Sequence, residues 1–207
     1  MERKLKNDYD VIVVGAGPGG CATAKKCAEE GLKVLVLEKR QEIGSPKRCA
    51  EGLTFNTERI IEDVPEKCIM QEIDGGVVYA PNGKEVEINF SDLIKTGDSG
   101  GHVIERKLFD KWLAVRASRA GAHIRAKTEV NDVIIEDGYV KGVKAESCGE
   151  HFEIGCKILV AADGVESFVA RKAGLDTTNE AINVDSGYQY EMSNLKLKDP
   201  HRLEIFM

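Results

Sequence analysis

A buried strand that ends in a glycine-rich turn is the feature that most constrains what this chain can fold into. The continuous β-branched run Val11–Val14 predicts a central strand of a parallel sheet. Directly after it, Gly15, Gly17 and Gly20 form the pattern G-x-G-x-x-G, and residues 18–30 then read as a helix that a further glycine ends. This order of strand, turn and helix indicates a nucleotide-binding βαβ unit.

Each glycine of the turn meets a different physical demand. Gly15 allows a sharp bend, Gly17 lets the backbone approach a pyrophosphate without an intervening Cβ, and Gly20 lets the helix pack closely on the strand. Gly19 lies in the same turn, where free N–H groups and the positive end of the helix dipole favour phosphate. We therefore predict that all four glycines bind a cofactor.

An acidic residue at the end of the second predicted strand indicates which nucleotide is bound. The segment KVLVLEK reads as that strand, and Glu38 lies 23 residues after Gly15. A carboxylate at this spacing accepts hydrogen bonds from ribose hydroxyls, which favours FAD or NAD over NADP. The chain has no G-x-x-x-x-G-K-[ST] sequence, which argues against an NTPase.

Composition and charge exclude several other classes of protein. The net charge of −6 and the lack of a long Lys/Arg block argue against a nucleic-acid partner. Six cysteines occur without a Cys-x-x-Cys pair, and the four histidines show no ligand spacing, so we predict no metal site. We interpret the cysteines as free thiols of a cytoplasmic protein. The 207 residues suit one domain and part of another.

The middle of the chain predicts a change from parallel to antiparallel sheet. The alternating segment GGVVYAPNGKEVEINF contains Pro-Asn-Gly, which predicts a turn between two strands. A helix then opens near Arg106, with apolar residues at helical spacing. A hairpin with Asp137 and Gly138 at its turn follows, and a third polar strand is predicted near Phe152.

A second strand–turn–helix unit follows in CKILVAADGVESFVARKAGL. Residues 158–161 predict a buried strand, and Asp163 and Gly164 predict the turn. Asp163, Ser167 and Arg171 are spaced by four, so we expect them to share one face of the following helix.

Taken together, these features resemble a known group of flavoenzymes. The glycine motif, Glu38, the helix that opens with Arg106 and Asp110, and the segment ADGVESFVAR are similar to FAD-dependent enzymes of the aromatic-hydroxylase and geranylgeranyl-reductase group. The loop EIGSPKRCAEGL, residues 42–53, resembles that of archaeal geranylgeranyl reductases, which saturate digeranylgeranylglycerophospholipids. The step of four from Ser167 to Arg171, where hydroxylases usually show three, disfavours the hydroxylase assignment.

The resemblance covers essentially all 207 residues and implies the fold. We expect an α/β, Rossmann-like FAD-binding fold with three layers in the order ββα, with a parallel central sheet and part of a β-rich substrate domain. The expected division is an FAD-binding domain in residues 1–65 and 106–176, with β-rich segments at 66–105 and 177–207. Family members are nearly twice as long and carry a further Gly-Asp motif that the chain lacks after Arg171. We therefore expect a truncated, N-terminal fragment whose FAD binding and turnover alone are open.

The resemblance also implies which residues surround FAD. Asp163 and Gly164 would support the pyrophosphate region, and residues 42–44 would run beside the nucleotide half. The residues expected near the isoalloxazine ring are Arg48, Cys49, Ala50 and Gly52, and those expected to flank the cofactor are Arg106 and the backbone of Val130. A cation such as Arg48 would favour the anionic reduced ring.

Cys49 is the candidate catalytic residue. Saturating an isolated trisubstituted alkene requires a hydride on the tertiary carbon and a proton on the other carbon. A thiol with a pKa of about 8.5 is mostly protonated at neutral pH and could supply that proton. We hypothesise that Cys49 either donates the proton or tunes the flavin, and the alternative is a small residue that packs against the ring.

The resemblance implies reduction of geranylgeranyl double bonds in archaeal membrane ether lipids. The expected partners are a prenylated glycerophospholipid substrate and an electron donor, for which ferredoxin, NADPH and a deazaflavin are open. The expected location is the cytoplasm, with peripheral contact to the inner face of the membrane left open. The alternatives are a monooxygenase, a quinone-linked electron-transfer dehydrogenase, or a catalytically silent FAD-binding fragment or interaction module.

Overall fold

The computed structural model describes residues 7–93 and 100–207. The chain divides into two compact units, each made of two segments. Unit 1 comprises Met1–Pro46 and Asp110–Asp185, and unit 2 comprises Lys47–Phe109 and Ser186–Met207. Residues 47–65, which the sequence predicts to be part of the FAD-binding domain, group with the β-rich unit. The domain division stays a prediction.

Unit 1 is built on a six-stranded sheet. Its strands are β1 (Asn7–Val14), β2 (Val34–Leu37), β8 (His123–Arg125), β9 (Thr128–Glu136), β10 (Tyr139–Ser147) and β11 (Glu150–Ala161). Their order is β8-β2-β1-β11-β10-β9. Neighbours from β8 to β11 pair parallel, and β10 pairs antiparallel with both β11 and β9. The predicted parallel strands and hairpin therefore form one continuous sheet.

Strand β11 replaces two strands of the sequence-based prediction. The polar strand near Phe152 and the strand at residues 158–161 are one element of 12 residues. Its first half pairs antiparallel with β10 and its second half pairs parallel with β1, and both pairings include Gly155. The prediction of a buried strand at residues 158–161 was wrong, because Ile158 is 57% exposed, Ala161 is also exposed, and Leu159 and Val160 are half-buried. Beyond Gly155 the described strands give β11 a partner on one side only, so this half of the strand is less enclosed.

Three layers enclose the core of unit 1. Helix α1 (Pro18–Glu29) contacts β1 and β2 and buries Cys21, Ala24 and Ala28. On the other side, side chains of β1 and β2 share a buried cluster with the antiparallel strands, and its members are Ile12, Val14, Leu35, Leu37, Val130, Val133, Val143, Ala145, Ile154, Cys156 and Val169. The antiparallel strands, the parallel strands and helix α1 thus form three stacked layers. This is the predicted ββα order, which confirms the Rossmann-like fold.

The helix after the second turn is shorter than predicted. A 3₁₀ turn covers Gly164–Glu166, and helix α5 begins only at Phe168 and ends at Lys172. Ser167 lies between them in the left-handed conformation, with φ of 42°. The prediction that Asp163, Ser167 and Arg171 share a helical face is therefore wrong, because no continuous helix joins them.

Unit 2 contains two three-stranded sheets. Its elements are β3 (Gly52–Thr54), α2 (Phe55–Ile61), β4 (Ile69–Ile73), β5 (Gly75–Tyr79), β6 (Glu85–Asn89), α3 (Phe90–Leu93), β7 (Gly101–Ile104) and β12 (Arg202–Phe206). The sheet orders are β3-β7-β4 and β12-β5-β6. The antiparallel β5–β6 pair matches the strands predicted around Pro-Asn-Gly.

Helix α4 (Arg106–Arg119) begins in unit 2 and continues into unit 1. It opens at Arg106, as the sequence predicts, and Phe109 and Leu113 are buried. Within residues 7–93 and 100–207, the structure contains no helix of sufficient length and hydrophobicity to traverse a bilayer.

Candidate functional site

The glycine turn of unit 1 packs directly against the second predicted turn. Gly15 has φ of +104°, and a Cβ on it would lie 2.3 Å from the carbonyl oxygen of Ala162. A Cβ on Gly20 would lie 1.9 Å from the carbonyl oxygen of Gly15. The Ala162 N–H also donates to the carbonyl of Val14 at 2.9 Å. The two strand-to-helix bends are therefore in contact at the carboxyl ends of adjacent parallel strands, where α/β folds bind ligands.

Gly17 and Gly19 face open space, in contrast to their neighbours. Among the described residues, no atom would lie within 4 Å of a Cβ on either glycine. Gly17 is the N-cap of α1, and no side chain in the described part of the chain caps the helix there. The first N–H groups of the helix therefore depend on a partner from outside it, and the missing Cβ atoms leave room for one. This arrangement fits a pyrophosphate group.

Glu38 holds the glycine turn in place. Its Oε2 accepts the Ala16 N–H at 2.9 Å, and its Oε1 accepts the Arg40 N–H at 2.8 Å. A carboxylate has about four lone-pair positions, so these bonds leave acceptors for ribose hydroxyls. Both main-chain groups of Glu38 are hydrogen-bonded. Its N–H donates to the carbonyl of Arg125, and its carbonyl accepts the Thr128 N–H. The predicted acid is thus rigidly placed beside the turn.

Asp163 organises the second turn. Its Oδ2 accepts the Val169 N–H at 2.8 Å, at the start of α5. Gly164 has φ of +79°, a conformation that favours glycine. An ion pair between Lys39 and Glu166 at 2.7 Å joins this turn to the end of β2. The observed role of the Asp163 side chain is to shape the turn, while its predicted cofactor contact stays a prediction.

Val130 lies in the core of unit 1. It is 7% exposed and belongs to β9, where it pairs with Ala145 of β10. The side chain is enclosed by the buried cluster, so only the backbone is available for the predicted cofactor contact.

The remaining predicted residues belong to unit 2. Arg48 and Ala50 are exposed, Cys49 is half-buried, and Gly52 begins β3. The Cys49 Sγ accepts the Glu51 N–H at 3.3 Å. The loop that carries the candidate thiol therefore has a defined conformation.

Glu51 and Lys47 are the residues of this loop that the sequence analysis missed. Glu51 is 9% exposed, and its Oε1 accepts the Arg106 N–H at 3.0 Å. Lys47 contacts the carboxylates of Glu51 at 3.4 Å and Glu105 at 3.0 Å, and it also pairs with Glu191. The hydrogen bond with Glu191 is the main cause that raises the pKa of Lys47. Glu51 is visible in the sequence as the acid of the Ala-Glu-Gly segment beside Cys49, but the sequence does not show what its carboxylate contacts.

The other cysteines divide into buried and accessible thiols. Cys21, Cys68 and Cys156 are at most 1% exposed, whereas Cys148 is exposed. Burial raises the pKa of Cys21 to about 12 and that of Cys156 to about 11. These buried thiols stay protonated and pack as apolar residues. Within the described residues, no group of three or more His, Cys, Asp or Glu side chains could hold a metal ion.

Comparison with known families explains the geometry of unit 1. The sequence matches the family described as "FAD binding domain" over residues 8–200. The chain belongs to this family.

The relatives of this FAD-binding domain protein include lipid reductases. The digeranylgeranylglycerophospholipid reductase of Methanosarcina acetivorans is 42% identical over 98% of this chain and 49% of that protein. The protein of the same name from Methanocaldococcus jannaschii is 41% identical over 99% of this chain and 50% of that protein. A solved geranylgeranyl bacteriochlorophyll reductase-like protein from Thermoplasma acidophilum matches with a TM-score of 0.78 and 36% identity, covering 96% of this chain and 50% of that chain.

The chain spans about half the length of the curated relatives it matches. These similarities confirm the predicted resemblance to archaeal geranylgeranyl reductases, and the family match confirms FAD as the cofactor. The roles of individual residues stay predictions.

Proposed function

We propose that this chain is the FAD-binding part of a reductase that saturates geranylgeranyl double bonds in archaeal membrane ether lipids. The observation that carries the proposal is the 42% identity, over 98% of the chain, to a protein named digeranylgeranylglycerophospholipid reductase. The loop at residues 42–53 supports the same assignment, because its Arg-Cys-Ala-Glu-Gly sequence was the basis of the resemblance.

The residues of unit 1 fit FAD. The uncovered backbone at Gly17 and Gly19 would receive the pyrophosphate, and the remaining lone pairs of Glu38 would accept ribose hydroxyls. Gly15, Gly20 and Asp163 would support FAD binding indirectly, because they fix the conformations of the two turns. When bound and reduced, FAD supplies the hydride for the tertiary carbon of the alkene.

Cys49 supplies the proton in this proposal. As the less substituted alkene carbon takes the Sγ hydrogen as a proton, positive charge develops on the tertiary carbon, and addition of the hydride there completes the saturated bond. The thiolate is then reprotonated from solvent. The Glu51 N–H donates to Sγ and so leaves the thiol hydrogen free to point away from the backbone. Arg48 and Arg106 would place positive charge beside the electron-rich cofactor.

The substrate would be a prenylated glycerophospholipid. Such a substrate resides in the membrane, so the proposed location is the cytoplasm with peripheral contact at the inner face. The reaction consumes two electrons for each double bond, and ferredoxin, NADPH and a deazaflavin are the candidate donors. Donor identity can be assigned by testing which one reduces the bound cofactor.

Two measurements, made one after the other, test the proposed function. The purified chain, incubated with FAD and desalted, should show flavin absorption at about 450 nm and release FAD on denaturation. A reductase that contains this chain, once chemically reduced, should add two hydrogens per double bond to digeranylgeranylglycerophospholipid under anaerobic conditions, measured by mass spectrometry. Oxygen consumption with NADPH and no lipid reduction would instead identify a monooxygenase, and a colourless protein would contradict the proposal.

The role of Cys49 can be tested separately. In an active preparation, Cys49→Ala should lower the rate of lipid reduction by about 10²-fold, the lower end of what a positioned acid contributes. Cys148→Ala is the matched control, because Cys148 is exposed and should not affect the rate. Full activity with an unchanged flavin spectrum in Cys49→Ala would assign Cys49 to packing.

A further inference from the structure

Glu51 connects three separate parts of unit 2 through its own atoms. Its N–H donates to the Cys49 Sγ at 3.3 Å, and its carbonyl accepts the Ile104 N–H at 2.8 Å. Its Oε1 accepts the Arg106 N–H at 3.0 Å. One residue therefore joins the candidate thiol, the end of β7 and the first residue of α4.

The conformation of Glu51 is unusual for this residue type. Its φ is +66°, in the left-handed region that favours glycine. A conformation of this kind is unfavourable for a residue with a Cβ and persists only where surrounding contacts fix it. Gly52, which could adopt it at less cost, directly follows. The strain therefore falls on the residue whose side chain makes the contact with α4.

The carboxylate of Glu51 is buried for a charged group. The residue is 9% exposed, and Lys47 compensates its charge at 3.4 Å. Lys47 also holds Glu105, the residue just before α4, and hydrogen bonding to Lys47 contributes to a lowered pKa of Glu105 despite the opposing effect of burial. Both acids that flank the start of α4 are thus held on the same cation.

We propose that Glu51 is a positioning residue that sets the placement of the Cys49 thiol relative to Arg106. The inference rests on the proposed function for its catalytic meaning, but the placement itself can be measured without FAD or lipid. A side chain that only balanced the charge of Lys47 would not need its carboxylate on the Arg106 N–H.

The test measures alkylation rates of individual cysteines by iodoacetamide, at one pH, with peptide-resolved mass spectrometry on the 207-residue chain. In Glu51→Ala, we expect Cys49 to react about fivefold faster, the factor that corresponds to loss of roughly one net hydrogen bond. The Arg106 amide should also exchange faster with deuterium, since its acceptor is gone. Glu51→Gln keeps a side-chain acceptor and should restore both rates to within about twofold of the native values.

Two cysteines and one acid serve as matched controls. Cys68 is fully buried in the same unit and reports general opening, while Cys148 is exposed and reports reagent activity. Glu191→Ala removes a different partner of Lys47 and leaves Glu51 with its bond from the Arg106 N–H, so it should leave Cys49 unchanged.

Two results would overturn the proposal. One is an unchanged Cys49 rate in folded Glu51→Ala protein, and the other is an equal acceleration at Cys49 and Cys68, which would show that Glu51 supports the whole unit. Neither result bears on lipid reduction, so a failure of this inference is distinguishable from a failure of the proposed function.

Discussion

The glycine turn of unit 1 and the Cys49 loop of unit 2 are fixed by different kinds of contact. In the glycine turn, backbone packs against backbone, and a Cβ on Gly20 would lie 1.9 Å from the carbonyl oxygen of Gly15. In the Cys49 loop, charged side chains converge on Lys47 and a buried Glu51. The glycine turn depends on missing Cβ atoms, which allow the backbone segments to pack closely. The Cys49 loop depends on the balance between the charge of Lys47 and those of its acidic partners.

This difference determines how each region should respond to substitution. Close-packed backbone cannot move away from an added methyl group without shifting a strand or a helix. An ion network can reorganise, admit water or change protonation, so its losses are smaller and depend on conditions. We therefore expect large, pH-independent effects in the glycine turn and smaller, pH-dependent ones around Lys47.

The largest effect is expected for Gly20→Ala. The added methyl group would overlap the backbone of Gly15, so the variant should lose about 3 kcal/mol or more of the free energy of unfolding, or fail to fold. Urea denaturation followed by circular dichroism measures this loss. A variant as stable as the native chain would show that the helix can shift and would remove the distinction drawn between the two regions.

Gly17→Ala is the matched control for that substitution. Gly17 has φ of −72° and open space at the Cβ position, so alanine should cost less than about 1 kcal/mol. The same methyl group would occupy the space proposed for the pyrophosphate, and FAD uptake should fall while the fold persists. We therefore expect Gly20→Ala to impair folding and Gly17→Ala to impair FAD uptake.

Lys47→Met should give the next largest effect. The substitution leaves the carboxylates of Glu51 and Glu105 without their shared cation, and we expect a loss of about 2 kcal/mol in the free energy of unfolding. Lys198→Met is the control, because Lys198 is 74% exposed and pairs with Glu85 at 3.4 Å, and its effect on stability should be much smaller because solvent screens the pair. Equal losses in the two variants would show that the network around Lys47 behaves as surface charge.

The same contrast explains what the sequence could predict. The turn at Gly15–Gly20 and Glu38 were predictable because their residue types follow from local backbone geometry and from spacing along the chain. The contacts of Lys47 with Glu105 and Glu191 were not, because they join positions distant in sequence whose charges look like ordinary surface residues. No periodicity distinguishes them from solvated acids.

The errors in the predicted fold have a related cause. Strand β11 was read as two strands because its polar first half and apolar second half differ in environment, and only the sheet shows that they are continuous. The face expected for Asp163, Ser167 and Arg171 relied on helical spacing, but the left-handed Ser167 interrupts the helix. Local patterns predict elements well where one environment applies throughout, and less well where a partner changes along the element.

Asp163→Ala should cost about 1 kcal/mol, as for other residues whose side chain accepts a hydrogen bond at the start of a helix. The lost contact is the 2.8 Å bond from the Val169 N–H to Oδ2. Asp163→Asn keeps an oxygen acceptor and should lose about half as much. Thermal denaturation of the three proteins measures the series, and an unchanged stability in the alanine variant would show that water replaces the carboxylate.

The smallest expected effect is the acid dependence of the Lys47 network. The lowered pKa of Glu105, for which the ordinary value is 4.5, means that its contribution to stability is present above that pH and is lost as the pH falls through the lower value in the folded protein. Glu105→Gln should therefore differ most from the native chain at about pH 6.5, and the difference should shrink at an acidic pH below 4.5. Hydrogen exchange at residues 102–109 measures the local difference, and Glu204→Gln, which changes an exposed acid of β12, is the control. A constant difference at both pH values would mean that Glu105 acts through packing. That outcome would place the Lys47 network with the glycine turn among contacts that do not depend on charge, whereas convergence in acid would separate the two regions by the kind of force that holds them.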